Sequence, residues 1–339
     1  MSDRRESWTR RAFVGGLTLA GIGDLPGMRR AGPAAAEPPP ETTTIRLSGV
    51  GLCPAPMYLA EELLRGEGFT EVKYLTFPEG GVGVYQRLGS GDLDIVQWFV
   101  APFVIEVDRG VPIVFLAGVH AGCFELFGTE RVRAIRDLRG KTVAVPWRGP
   151  GPETFIATML AYVGFDPADV HFVVYPGDES IRLLAAGRID AYLGFPPAPQ
   201  ELRGKKIGSV VVNSAVDRPW SQYFCCLAAA NKDFVQRHPV ATKRAVRAIL
   251  KATDLCALAP ERAARHLVDR GLTNSYDYAL QSMKDIPYGR WREYDPEDTL
   301  RFYALRLHEA RVVRSSPKKI VAQGTDWRFL NELKRELKG

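Results

Sequence analysis

Leu88-Gly89-Ser90-Gly91-Asp92-Leu93-Asp94-Ile95-Val96 and Leu184-Ala185-Ala186-Gly187-Arg188-Ile189-Asp190-Ala191-Tyr192 read as two copies of one supersecondary unit. In each, a helix end meets a glycine, a short turn follows, and an acidic residue stands before an apolar strand. Glycine ends a helix readily because it takes the left-handed conformation without a Cβ penalty, so the pattern marks an α-to-β connection. Its recurrence in both halves of the chain predicts two α/β lobes.

The surrounding sequence has the same rhythm. Thr44–Val50 alternates Ile45, Leu47 and Val50 with polar residues, a strand pattern, and Ala55–Leu64 follows as an apolar-periodic helix. Further strands are expected near Val72–Phe77, Leu93–Phe99, Ile113–Val119, Cys123–Gly128, Thr142–Pro146, His171–Tyr175, Ala191–Phe195 and Gly208–Asn213. Helices fill most of the gaps, notably Val82–Leu88, Glu153–Val163 and Glu179–Ala186. Such βαβ alternation predicts an α/β fold of mainly parallel sheets covered by helices on both faces. From Asp233 onward helices dominate: Val240–Leu258, Glu261–Arg270, Tyr276–Met283, Pro296–Ala310 and Asp326–Leu337.

The 339 residues are 46% hydrophobic and 25% charged, ordinary for a globular protein of more than one domain. Half of the +6 formal charge comes from residues 1–36, where Arg4, Arg5, Arg10, Arg11, Arg29 and Arg30 face Asp3, Glu6 and Asp24. The remainder is too weakly basic to argue for nucleic-acid binding, and no nucleic-acid partner is expected. Cys53, Cys123, Cys225, Cys226 and Cys256 show no C-x-x-C pair and no zinc-type Cys/His spacing. No metal site is expected from that spacing, and buried free thiols are the default.

Residues 1–36 read as an address. Trp8-Thr9-Arg10-Arg11-Ala12-Phe13-Val14-Gly15-Gly16 sets an arginine pair before an apolar run through Leu17, Leu19 and Ile22, and Ala34-Ala35-Ala36 offers small residues for a signal peptidase. The T-R-R-x-F-V order resembles a twin-arginine export signal, with cleavage expected after Ala36. No later segment reaches ~18 uninterrupted apolar residues, so a periplasmic mature protein is expected, with 37–43 as a linker.

Four motifs in order carry a family resemblance: Leu88 to Ile95, Asp137-Leu138-Arg139-Gly140-Lys141-Thr142-Val143-Ala144-Val145, Ala186-Gly187-Arg188-Ile189-Asp190-Ala191-Tyr192, and Asn231-Lys232-Asp233-Phe234-Val235-Gln236-Arg237-His238-Pro239. Over residues 44–285 the chain resembles the nitrate/sulfonate/taurine class of ABC-transporter substrate-binding proteins, which overlaps the Thi5/NMT1-like group. The resemblance implies a type II periplasmic-binding fold, two lobes joined by two crossing segments, closing on a solute and docking on an inner-membrane ABC permease as a monomer. The crossings are expected near Ala121–Gly128 and Ser221–Ala229, with 44–121 plus 225–339 as lobe one and 122–224 as lobe two.

In open α/β sheets ligands gather at the carboxyl ends of strands. Four loops fall there. The first holds Cys53, Pro54 and Tyr58, and the second Gly80 and Gly81, where absent Cβ atoms permit close approach. The third holds Trp98 and Phe99, and the fourth Trp147, Arg148, Gly151 and Thr154. In the fourth, backbone N–H groups and the Arg148 guanidinium suit a carboxylate or sulfonate, and Trp147 suits a planar body. Phe195 after a later strand and Tyr223 near the second crossing complete the expected lining. A small anionic organic solute is the expected ligand, with no cofactor.

An enzyme of the same fold is the competing resemblance. Cys225-Cys226 resembles part of the cysteine cluster of the fungal Thi5-like pyrimidine synthase, which carries a lysine and a histidine after its Asp-strand motif. Here that stretch reads Asp94-Ile95-Val96-Gln97-Trp98-Phe99-Val100-Ala101-Pro102, with neither residue. No Ser/His/Asp signature, Gly-x-Ser-x-Gly elbow or P-loop occurs, so no catalytic residue is expected. His120, at a strand end near the first crossing, is expected to be a satisfied structural histidine. A binder of thiamine-type pyrimidines and a solute-binding sensor subunit would use the same fold.

Overall fold

The computed structural model describes residues 37–48, 51–75, 83–149 and 151–338. The expected export signal, and Gly80 and Gly81 of the second loop, lie outside the described residues.

Ten strands are described: β1 Thr44–Ser48, β2 Glu71–Leu75, β3 Ile95–Phe99, β4 Ile113–Ala121, β5 Glu125–Gly128, β6 Thr142–Val145, β7 His171–Val174, β8 Ala191–Gly194, β9 Ser209–Asn213 and β10 Phe224–Asn231. They form two sheets, in the orders β2-β1-β3-β10-β4 and β7-β6-β8-β5-β9. Each sheet has one strand that runs against its neighbours. In the first it is β10, antiparallel to β3 and β4; in the second it is β5, antiparallel to β8 and β9. The chain passes between the sheets twice, from β4 into β5 and from β9 into β10.

The repeated glycine-acid unit pins both sheets. Gly91 and Gly187 take left-handed φ of 82° and 65°. Asp94 Oδ2 then accepts the backbone N–H of Arg46 at 2.7 Å, and Asp190 Oδ2 accepts that of Thr142 at 2.9 Å. In both cases the acid before one strand satisfies an N–H on the strand beside it. Arg46 adds two guanidinium bonds to Asp94, and Arg131 bonds Asp190.

Every residue of β3 is buried, as suits a strand flanked by β1 and β10 in a sheet covered on both faces. Helix Val100–Asp108 follows without a polar break. It is apolar nearly all round, so its sequence has no helical period to read. Ala198–Lys205 and Pro317–Gly324 are further helices in gaps of the expected pattern. Glu41, in the expected linker, takes part in the fold: its two carboxylate oxygens accept the N–H groups of Val240 and Ala241, at 2.9 Å each, in the first turn of helix Pro239–Leu258.

One apolar core runs through both sheets and includes Val96 and Leu227 of the first and Leu126 and Leu193 of the second. A smaller cluster of Phe127, Ala144, Ile181, Leu184, Ile189, Tyr192 and Leu202 lies within the second sheet's layer.

Candidate functional site

Four strand ends meet at one place. The loop after β1 brings Cys53, the end of β3 brings Gln97, Trp98 and Phe99, the loop after β6 brings Trp147 and Gly151, and the residue after β8 is Phe195. The first crossing adds Cys123 and Phe124, and the start of β10 adds Cys226. Together these ten residues line a cavity between the sheets. It leaves about 30 Å³ for the centre of a water-sized sphere, which is room for about two waters. The cleft is therefore nearly shut, filled by its own aromatic rings.

Those rings pack edge to face. Phe99 meets Phe124 at 5.1 Å and Phe155 at 5.4 Å between centroids, and Phe195 meets Trp147 at 5.2 Å. Gly151 has φ of 128°, and a Cβ there would stand 3.0 Å from the Trp147 indole nitrogen. The loop thus needs a glycine both for its backbone and for the ring laid against it.

The polar groups at the cavity are few. Gln97 Nε2 donates to the Cys53 carbonyl at 3.1 Å, and the Tyr288 hydroxyl donates to the same oxygen at 2.9 Å. That bond fixes the amide's orientation and leaves Gln97 Oε1 buried without a partner. Trp98 Nε1 donates to the Tyr85 hydroxyl at 2.8 Å, so the indole is anchored from behind.

Six expected site residues line this cavity: Cys53, Trp98, Phe99, Trp147, Gly151 and Phe195. Thr154 stands just behind it, its hydroxyl accepting the Gly151 N–H at 3.4 Å. The other described ones lie elsewhere. Arg148 is exposed and its Nη2 donates to the Phe172 carbonyl at 3.3 Å, so the guanidinium points along the outer edge of the second sheet. Pro54 is buried at the start of helix Ala55–Gly66. Tyr58 stacks on Tyr74 at 5.8 Å and lines a separate surface groove with Glu61 and Arg270. Tyr223 stacks on Phe302 at 4.1 Å and 13°, a packing role.

The cysteines and His120 form a group that their order along the chain does not announce. Reading the spacing along the chain gives no metal-binding group, yet Cys53, His120, Cys123 and Cys226 place their donor atoms within 4.8 Å of one another. His120 is also not a satisfied structural residue. It is fully buried, its Nδ1 faces the Ala121 carbonyl at 3.1 Å, and its Nε2 has no partner. A carbonyl only accepts, so Nδ1 carries the proton and Nε2 keeps a lone pair. Cys225 Sγ lies 3.2 Å from Cys123 Sγ, and all five cysteines are free thiols. Burial pushes the thiols of Cys225 and Cys226 well above their ordinary value, and that of Cys123 up as well.

Residues 50–269, well over half of the chain, match the NMT1-like family. The chain belongs to the NMT1-like family. A taurine-binding periplasmic protein of Escherichia coli is 26% identical to this NMT1-like chain over 201 residues, 59% of the chain and 62% of that protein. The chain thus matches less than two thirds of that relative's length. A 4-amino-5-hydroxymethyl-2-methylpyrimidine phosphate synthase of Saccharomyces cerevisiae is 23% identical over 234 residues, 64% of the chain and 68% of the synthase. Among solved structures, the periplasmic nitrate-binding protein of Synechocystis superposes with a TM-score of 0.71 at 18% identity, covering 88% of the chain and 90% of that protein. The NMT1-like chain therefore has the periplasmic-binding-protein fold.

Proposed function

We propose that the chain is the solute-binding component of an ABC importer, exported to the periplasm by the twin-arginine signal in residues 1–36. It captures a small organic solute between two lobes, 44–121 plus 225–339 and 122–224, and works as a monomer without catalysis. One observation carries the reading: strand ends from two sheets converge on a single aromatic-lined cavity where the chain crosses between them. The taurine-binding relative supports it.

Closure by hinge movement at the two crossings would let the solute enter an open form and be buried in the closed one. The solute must contact the closed form more favourably, because a ligand shifts an equilibrium only by its differential affinity. A sulfonate or carboxylate remains the proposed class, with a limit set by the lining. Among the described lining residues there is no lysine or arginine. An anionic group would rely on the backbone N–H of Gly151 after it leaves the Thr154 hydroxyl and on Arg148 after it leaves Phe172. Gln97 Oε1, an unpaired acceptor, favours a solute that also carries an N–H or O–H donor.

The test is a thermal-shift screen of sulfonates, aliphatic and aromatic carboxylates, nitrate and thiamine-type pyrimidines. A ligand at ~100 times its dissociation constant stabilises by ~2.7 kcal/mol. Absence of a shift with every class would sink the binder reading, and an Arg148→Ala protein that binds an anionic hit as tightly as before would remove Arg148 from the site.

The pyrimidine-synthase relative keeps an enzymatic reading in play, since Cys226 lines the same cavity. A pyridoxal-type aldehyde needs an amine nucleophile, and the described lining residues include none. Consumption of such a cofactor by the purified chain would favour the enzyme.

A further inference from the structure

We propose that Cys53, His120, Cys123 and Cys226 bind one thiophilic d10 cation, Zn(II) or Cu(I), at the pivot where the chain crosses between the two sheets. The proposal goes beyond solute capture and does not depend on which solute is carried.

The donor set comes first. Three sulfurs and one imidazole lie within 4.8 Å of one another with no carboxylate among them. Sulfur-rich sites select soft or borderline ions over Mg(II) and Ca(II), and Cys₃His is a known closed set for tetrahedral zinc. With Zn–S bonds of ~2.3 Å, tetrahedral donors stand ~3.7 Å apart. The group therefore needs only a contraction of about 1 Å, within reach of side-chain rotation.

His120 supplies an independent observation. Its Nδ1–H is spent on the Ala121 carbonyl, and its Nε2 lone pair is buried without a partner. Metal-binding histidines usually donate their other ring N–H to a carbonyl or carboxylate in this way, which fixes the tautomer and the ring. An unpaired acceptor in a fully buried ring, grouped with three sulfurs, is a free donor atom suited to a cation.

The backbone explains why these four residues meet. His120 and Cys226 are partners across the β4–β10 ladder. The register shifts on both sides of Cys226, a bulge that re-aims side chains at the strand start. Gly122, at φ of 49°, turns the chain between His120 and Cys123. Cys53 sits in the loop after β1, with its carbonyl held by Gln97 and Tyr288.

Binding is a proton exchange. Zn(II) replaces three thiol protons, which pass to solvent, and four dative bonds form. The site then carries one net negative charge with zinc and two with copper. Cys225, 3.2 Å from the Cys123 sulfur, is placed to donate its S–H to that thiolate.

The full chain, reduced and stripped with a chelator, is loaded separately with Zn(II), Cu(I) and, as a spectroscopic substitute for zinc, Co(II). One metal per chain should survive gel filtration. The Co(II) form should show tetrahedral d–d bands with sulfur-to-metal charge transfer, and X-ray absorption should count three sulfurs and one nitrogen. Competition with chelators for each ion tells zinc from copper. Cys53→Ser, Cys123→Ser, Cys226→Ser and His120→Ala should each weaken binding by more than the ~10–100-fold of an outer-sphere change, and Cys256→Ser should leave it unaltered. Failure to retain either ion at one per chain, fewer than three sulfurs in the wild-type spectrum, or equal losses in Cys256→Ser and Cys226→Ser would each overturn the site. The wild-type spectra decide the matter where a variant does not fold. Metal is read without solute, and the solute screen is repeated with chelator present, so either reading can fail alone.

Discussion

His120 and Cys226 face one another across the β4–β10 ladder, one residue from the strand that leaves the first sheet and one from the strand that returns to it. The cavity is therefore built where the chain crosses between the two sheets. Cys123 and Phe124 follow within four residues of His120 and line the same space. Whatever occupies the cavity touches both the strand ends and the chain segments that join the two sheets.

The turn between His120 and Cys123 is sensitive to a single methyl group. A Cβ on Gly122 would stand 2.2 Å from the Ala215 Cα and 2.4 Å from its nitrogen, and the residue has φ of 49°. Backbone cannot rotate aside as a side chain can. Gly122→Ala should destabilise by about 3 kcal/mol, combining left-handed strain and overpacking, and lower the urea midpoint with little change in slope.

The paired acids should differ in weight. Asp94 has a side chain 3% exposed and holds the Arg46 N–H and guanidinium together, whereas the Asp190 side chain is 16% exposed beside the half-exposed Arg131. Removing a buried charged partner strands its donors, while more exposed pairs contribute less. Asp94→Ala should cost about 3 kcal/mol and Asp190→Ala about 1 kcal/mol in denaturant unfolding. Asp94→Asn, which keeps an acceptor for the Arg46 N–H, should recover part of the loss.

Glu41 and Asp190 give acid lability a named source. Burial pushes the Glu41 carboxyl up, but the N–H groups of Val240 and Ala241 outweigh it and hold its pKa below the ordinary 4.5. Burial likewise opposes, and the Thr142 N–H with Arg131 overcomes, in setting Asp190 below 3.8. A carboxylate with a depressed folded pKa contributes stability that is full above the unfolded value and is lost as pH falls through the folded one. Melting temperature should therefore drop below about pH 4.5, and less steeply in Glu41→Gln. At neutral pH Glu41→Ala should cost about 1 kcal/mol, the usual value of a first-turn carboxylate.

The fold was legible because its rules are local. Glycine, acid and strand recur at fixed offsets, so Asp94 and Asp190 announce both sheets before any contact is known. Helix Val100–Asp108 was not, because burial all round removes the period that marks a helix. Strand-end logic singles out Cys53, Trp98, Phe99, Trp147, Gly151 and Phe195, which line one cavity. Arg148 turns away from the cavity lining, since rotamer direction at a loop depends on which carbonyl is in reach, here that of Phe172. The His120 and cysteine group escaped notice because its members come from three separated points of the chain. Only strand order, a bulge and one left-handed glycine bring them together.

A latch spans the proposed lobes on the side of helix Tyr276–Asp285. Arg203, on helix Ala198–Lys205, bonds both Glu125 of β5 and Asp285, and Gln200 Nε2 adds a hydrogen bond to Asp285 Oδ2 at 3.0 Å. Glu125 and Arg203 belong to the second sheet's layer, and Asp285 to the helical C-terminal third. Opening the cleft must break the Asp285 contacts and leave the Arg203–Glu125 pair whole. The Arg203 and Asp285 side chains are 26% and 33% exposed, so solvent screens the attraction and about 1 kcal/mol is a fair value for it. Asp285→Ala should shift the equilibrium toward the open form and weaken the apparent solute affinity about fivefold, with a larger radius of gyration by small-angle scattering. Arg203→Ala would also strand Glu125, whose pKa burial already raises, and is the poorer probe. An Asp285→Ala chain with unchanged radius and affinity would show that closure is held by the aromatic seam of Phe99, Phe124 and Phe195 rather than by this latch.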